Sequence, residues 1–140
     1  MKLVVPEYFY RFRCIAGDCR DSCCVGWEID IDEKTLEKIN TLPGIEGEKL
    51  RASINYSGDA PCFCMSGERC VHLRRDGLCE LICRYGEEIL SDICREHPRY
   101  YTTLGDTAYG GVGMTCEAAC ELILTERGEH RYTATDGYDA

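Results

Sequence analysis

The chain has 140 residues with a formal net charge of −9 and 12 cysteines. That length fits one domain burying roughly two thirds of the surface its unfolded chain would expose. The acidic balance excludes a nucleic-acid binder, which needs a basic face, and no apolar run approaches the ~20 residues of a membrane span. The opening MKLVVPEYFYRFRC carries one early Lys and a short apolar run broken by Pro6 and Glu7, so it does not read as a signal peptide. A cytoplasmic chain is therefore expected. In that compartment thiols stay reduced, and clustered cysteines hold metal more often than each other.

In chain order, residues 1–29 read as an entry strand or loop leading into CIAGDCRDSCCVGW, which packs Cys14, Cys19, Cys23 and Cys24 ahead of Trp27. The segment IDIDEKTLEKIN predicts a helix, with Asp32 as its cap and Ile31 and Leu36 as a hydrophobic staple. Asn40 to Gly44, with Pro43, ends it. A second helix is expected over IEGEKLRASI, where Leu50 and Ile54 share a face, and SGDAP breaks the chain. From Cys62 to Asp76 there is no periodicity, which predicts a ligand-bearing loop. Leu78 to Cys94 turns helical again, divided at Gly86. Tyr and Thr around Gly105-Asp106 predict a hairpin over 99–112, and TCEAACELILTERG a last helix that stops at Gly128. The expected fold is mainly α: a small cysteine-rich helical domain, residues 1–128, with irregular loops and one short β-hairpin, organised around metal clusters. Residues 129–140 read as a polar C-terminal tail.

Thiolates are soft ligands, and four of them suit tetrahedral zinc or iron-sulfur chemistry. The spacings are C-x4-C-x3-C-C, then C-x-C-x5-C-x8-C-x3-C, then Cys94 and the pair Cys116 and Cys120. They match neither a zinc ribbon nor the bacterial ferredoxin run, so spacing indicates metal without choosing it. Adjacent side chains in extended backbone point to opposite sides; Cys23 and Cys24 then serve two sites, or one ligates while the other packs. A cysteine nucleophile needs a base, and His72, His97 and His130 stand in no catalytic signature. Arg13, Arg20 and Arg99 are candidates to contact a carboxylate or offset thiolate charge.

The run FRCIAGDCRDSCCVGWEIDID, then RCVHLRRDGLC, GEEILSDICREHPR and GMTCEAA, resembles the cysteine-rich N-terminal region of the flagellin lysine-N-methylase family, itself similar to a broader group of zinc- or iron-chelating proteins. The resemblance runs from about Tyr8 to Leu124. It implies a cytoplasmic enzyme that methylates lysine side chains of flagellin with S-adenosylmethionine and carries an iron-sulfur cluster. The family-like cysteines are Cys14, Cys19, Cys23, Cys24, Cys70, Cys79, Cys94 and Cys116; Cys62, Cys64, Cys83 and Cys120 are additional and number a full ligand set. Trp27, His97 and Arg99, within the shared motifs, are the candidates for cofactor contact.

The methylases are longer, so this chain is not expected to methylate alone. Three readings follow. In the first, a 4Fe-4S cluster with three cysteine ligands binds S-adenosylmethionine. In the second, two or three fully ligated clusters serve electron transfer with a redox partner. In the third, zinc closes a structural interaction module. Flagellin or another lysine-bearing protein is the expected partner.

Overall fold

The computed structural model describes residues 1–138; the last two residues of the expected tail, 139–140, lie outside the described residues. Eight strands and five α-helices follow one another: β1 (Lys2–Pro6), α1 (Glu33–Thr41), α2 (Gly44–Ala52), β2 (Ile54–Asn55), β3 (Cys62–Phe63), β4 (Met65–Ser66), β5 (Arg69–Cys70), α3 (Glu80–Tyr85), α4 (Asp92–Glu96), β6 (Arg99–Leu104), β7 (Thr107–Val112), α5 (Glu117–Thr125) and β8 (Tyr132–Asp136). They divide into two compact units. The first comprises Met1–Ile15 with Glu96–Ala140, and the second Ala16–Arg95.

The first unit is built on a four-stranded mixed sheet in the order β6-β7-β1-β8. The hairpin expected over 99–112 forms, pairing Tyr100 with Gly111 and Leu104 with Thr107. The strand β1 lies parallel to β7 and antiparallel to β8, with Val4 opposite Tyr109 on one side and Ala134 on the other. Val5, Phe9, Phe12, Val112 and Ala119 form its core, with Leu122 and Ile123 of α5 packed against it. Above the Phe9 and Phe12 rings lies the Arg99 guanidinium, 5.6 and 5.3 Å from their centroids, a cation-π arrangement.

The second unit carries the helices α1 to α4 and two two-stranded ladders, β2-β3 and β4-β5. Its core gathers Ile29, Ile31, Ile39, Leu50, Phe63, Leu81, Ile89 and Leu90. Phe63 is 1% exposed, and burying such a ring contributes about 2–3 kcal/mol. The α1 cap expected at Asp32 forms: its Oδ1 accepts the Thr35 N–H at 2.9 Å. Its other oxygen, Oδ2, accepts the Asp92 N–H at 2.8 Å, 60 residues away. One carboxylate thus serves the starts of both α1 and α4. Thr35 adds a bond from its hydroxyl to the Leu90 carbonyl at 3.2 Å.

The mainly α expectation is corrected. The sheet, with β1 and β8 added to the anticipated hairpin, makes this a mixed α/β protein whose helices are short. The sequence pattern hides it because β1 pairs with strands more than a hundred residues away, and such partners leave no local signature. Organisation around metal clusters is corrected too. Each unit is held by its own apolar core, and among the described residues no group of three or more His, Cys, Asp or Glu side chains forms a ready metal-holding arrangement.

Two outcomes follow from the second unit. Replacing Asp32 by Ala removes two helix-start interactions at once and is expected to cost about 2 kcal/mol, since one cap is worth ~0.5–2; urea unfolding measures it. Buried His72 has its pKa lowered by burial, with Glu80 opposing. The unfolded chain therefore binds more protons than the folded one around and below the ordinary histidine value, and stability falls as the pH drops through that value toward the lowered pKa of the folded state. His72→Gln is expected to flatten that slope in unfolding curves taken across the range.

Candidate metal centre

Separate segments bring four cysteines, Cys24, Cys70, Cys79 and Cys94, onto the second unit's core without closing them into a ready metal-holding arrangement among the described residues. The turn CCVGW runs antiparallel to β5, with Val25 bridging to Arg69. The Cys70 N–H donates to the Cys24 carbonyl at 2.8 Å, and the Gly26 N–H to the Glu68 carbonyl at 2.8 Å. Gly26, at φ +91°, occupies the left-handed region that glycine enters without steric cost. The Trp27 indole N–H closes the turn by donating to the Cys23 carbonyl at 2.7 Å. These bonds set Cys24 beside Cys70.

From Cys70 the chain doubles back through RRDG. The Arg74 N–H donates to the Leu78 carbonyl at 2.9 Å and the Glu80 N–H to the His72 carbonyl at 2.8 Å, with Leu73 bridged to Cys79. Gly77, at φ +80°, makes the reversal and lies against Gly17, where a Cβ would come within 3.2 Å of the Gly17 Cα. Cys79 thereby arrives at the N-cap position of α3. Cys94 comes on α4, whose start Asp32 holds. Cys24, Cys70, Cys79 and Cys94 all pack on the same core.

The thiols act on one another electrostatically, with exposed Cys83 acting on Cys79 as well. Burial raises the Cys70 thiol to about 11, with further upward contributions from Cys24, Cys79 and Cys94. Burial likewise raises Cys94 to about 11, with Cys24 and Cys79 adding to it. Cys79 is pushed up by burial and by Cys24 and Cys83. Cys24 goes the other way, to about 6, because Cys23 hydrogen-bonds its thiolate, burial opposes, and Ser22 and Arg69 assist. Each sulfur has a neighbour favouring its charged form: the His72 backbone for Cys70, the Ile82 and Leu81 backbone for Cys79, and Ser91 for Cys94. Donors around sulfur are what thiolate ligands of a metal or cluster require, so the donor set fits a soft metal in its chemistry.

The other candidates fall elsewhere. Cys23 is exposed, so of the adjacent pair it is Cys24 that joins the four. Cys19, Cys62, Cys64 and Cys83 also belong to the second unit, with Cys62 buried in β3 and its pKa raised first by burial. Cys14, Cys116, Cys120, His97 and Arg99 belong to the first unit. Arg99 is engaged with the two phenylalanine rings, and burial lowers the His97 pKa. A cavity of about 370 Å³ in that unit, lined by Glu7, Tyr8, Glu126 and His130 among others, contains none of the candidate side chains. Sequence reasoning missed Ser22, Arg69, His72 and Ser91 as neighbours of the thiols. All four lie inside the motifs that bore the resemblance, Ser22 ahead of Cys23, Arg69 and His72 around Cys70 and Ser91 ahead of Cys94, and that position was the one signal that could have found them.

A cysteine-rich α/β chain with four thiols packed on one apolar core is the class these features define, and among the described residues no helix is long and apolar enough to cross a membrane. The chain is a relative in sequence of the lysine-N-methylases and of FliU. It is 27% identical over 129 residues to the lysine-N-methylase of Salmonella typhimurium and 26% identical to that of Salmonella choleraesuis, the alignments covering 86% of this chain and 32% of each relative. The flagellar biosynthetic protein FliU of Salmonella muenchen is 26% identical, with 86% of this chain and 76% of that protein covered. The chain thus spans about a third of the length of the two curated methylases it matches. No family model and no solved structure matches it.

The shifted thiols predict an order of reaction in metal-free, reduced protein. At about pH 6.5 iodoacetamide is expected to modify the Cys23–Cys24 pair first, leaving Cys70 and Cys94 largely unmodified, because the thiolate is the nucleophile. Peptide mapping by mass spectrometry checks it; Cys70 or Cys94 labelling as fast as the pair would contradict the site's electrostatics.

Proposed function

We propose that this chain is the metal-thiolate part of a protein of the lysine-N-methylase type, in which Cys24, Cys70, Cys79 and Cys94 hold an iron-sulfur cluster of the 4Fe-4S kind. The protein acts with S-adenosylmethionine on lysine side chains of a flagellar protein, flagellin by the resemblance. The observation that carries the metal assignment is the convergence of four cysteines from three separate stretches of chain, each with a neighbour that favours its thiolate. The names of the relatives support the lysine assignment. When bound, the cluster supplies a one-electron centre or a rigid cross-link between the segments.

A second reading draws on the number of sulfurs. Four cysteines make a complete tetrahedral set and leave no vacant position, which favours a closed site, structural zinc or a fully ligated cluster, over one that takes the amino and carboxylate groups of S-adenosylmethionine directly. Purification without oxygen, followed by an absorption spectrum and iron, sulfide and zinc analysis, separates the two. Under the proposal the protein is brown and carries iron with labile sulfide; stoichiometric zinc in colourless protein would favour the second reading.

The ligand assignment has its own test. Cys79→Ser or Cys94→Ser is expected to remove most of the bound metal, whereas the variant with Cys62, Cys64, Cys83 and Cys120 all changed to Ser keeps it. The reverse pattern would overturn the assignment. Incubating the loaded chain by itself with S-adenosylmethionine and flagellin is expected to give no methylated lysines by mass spectrometry, because it spans about a third of the methylases it matches; methylated lysines would show that this part suffices.

A further inference from the structure

The thiol set has a neighbour with no other evident employment. Ser91 is fully buried at 0% exposure, and its hydroxyl has no hydrogen-bond partner among the described residues. It immediately precedes α4, the position from which a serine ordinarily caps a helix by accepting a first-turn N–H. That work is divided otherwise here. The Asp92 N–H goes to Asp32 Oδ2 at 2.8 Å, and the Cys94 and Arg95 N–H groups both go to the Ser91 backbone carbonyl at 3.0 Å. The side chain is left over and enclosed at the start of the same short helix as Cys94, whose backbone N–H is held by the Ser91 carbonyl.

A buried hydroxyl without a partner is unfavourable, and replacing it with an apolar group of the same shape removes that cost. An unpartnered Ser91 therefore makes little sense in the metal-free state. It makes sense beside a sulfur that carries charge, because a hydroxyl donating to an anion forms a stronger bond than one between neutral groups. A protonated Cys94 thiol is a weak acceptor, while a metal-bound Cys94 thiolate is a good one.

We propose that Ser91 is a positioning residue of the metal centre: its hydroxyl donates to the Cys94 sulfur once that sulfur is a metal-bound thiolate, and so holds Cys94 in ligating orientation. The idea rests on the assignment of Cys94 as a ligand and adds a residue that neither the cysteine pattern nor the relatives' names point to. It implies a trade within one side chain, with Ser91 weakening the empty protein and strengthening the loaded one.

Ser91→Ala in the full chain tests both halves. Zinc alone is the probe, its affinity for reduced wild-type and variant protein measured by competition with a chromophoric chelator, and thermal unfolding of the metal-free proteins is recorded in parallel. The variant is expected to bind zinc about tenfold or more weakly, the range for loss of a group that supports a metal ligand, and to be as stable as wild type or more so without metal. In the iron-sulfur form, the variant's reduction potential is expected to be more negative, because hydrogen bonds to the sulfurs help set it. Equal zinc affinity in the two proteins would overturn the proposal while leaving the ligand assignment standing. A variant less stable than wild type without metal would overturn it as well, by showing that the hydroxyl has a structural partner. Failure of wild-type protein to bind zinc or a cluster at all would remove the ligand assignment, and this proposal with it.

Discussion

The Asp32 carboxylate is shared between two helix starts, and most of the second unit's geometry follows from that sharing. One oxygen stops the chain entering α1 from fraying, and the other fixes the first residue of α4. Helix N-termini present unsatisfied N–H groups and a partial positive charge, so a carboxylate placed between two of them is stabilised twice. Because α4 carries Cys94, the same carboxylate decides where the fourth sulfur stands. Thr35 reinforces this, its one hydroxyl proton shared between Asp32 Oδ2 at 2.9 Å and the Leu90 carbonyl at 3.2 Å. A five-residue helix such as α4 has little stability by itself, and this external anchor gives it a defined position.

The four thiols place opposing demands on the unit. Burial among Phe63, Leu81, Leu90 and their neighbours favours neutral sulfur, and mutual repulsion disfavours more than one thiolate at a time. Cys24, assisted by Cys23, Ser22 and Arg69, carries charge at the lowest pH. A bound cation would reverse the balance for the other three, since charge that repels in the empty site becomes attraction to the metal.

Much of this was legible in the sequence where the causes are local. Asp32 before an amphipathic run, Gly86 between two helical stretches and Gly105-Asp106 between β-prone segments each produced the expected element, because capping and left-handed backbone are decided within a few residues. The resemblance carried by CC-x-G-W, GLC and C-x2-HPR singled out eight cysteines, and four of these pack on one core. What stayed hidden was non-local. The pairing of KLVVP with β7 and with YTATD depends on the rest of the chain being folded, and a polar YTATD reads as a tail when its partner strand is unknown. Ser91 was invisible for a different reason: in sequence it looks like an ordinary helix cap, and only the Asp92 bond to Asp32 shows that its side chain was released from that task.

The interleaving of the two units along the chain has a consequence for the order of synthesis. All of Ala16–Arg95 lies between β1 and the other three strands of its sheet. On a growing chain the second unit emerges whole while β1 still lacks every hydrogen-bonding partner. Its short-range ladders and helices can form as a unit at that stage, whereas β1 must wait for residues 107–136 and close a loop of about a hundred residues before it gains anything. The thiols of the second unit can therefore be brought together on their core at a stage when the sheet of the first unit does not yet exist.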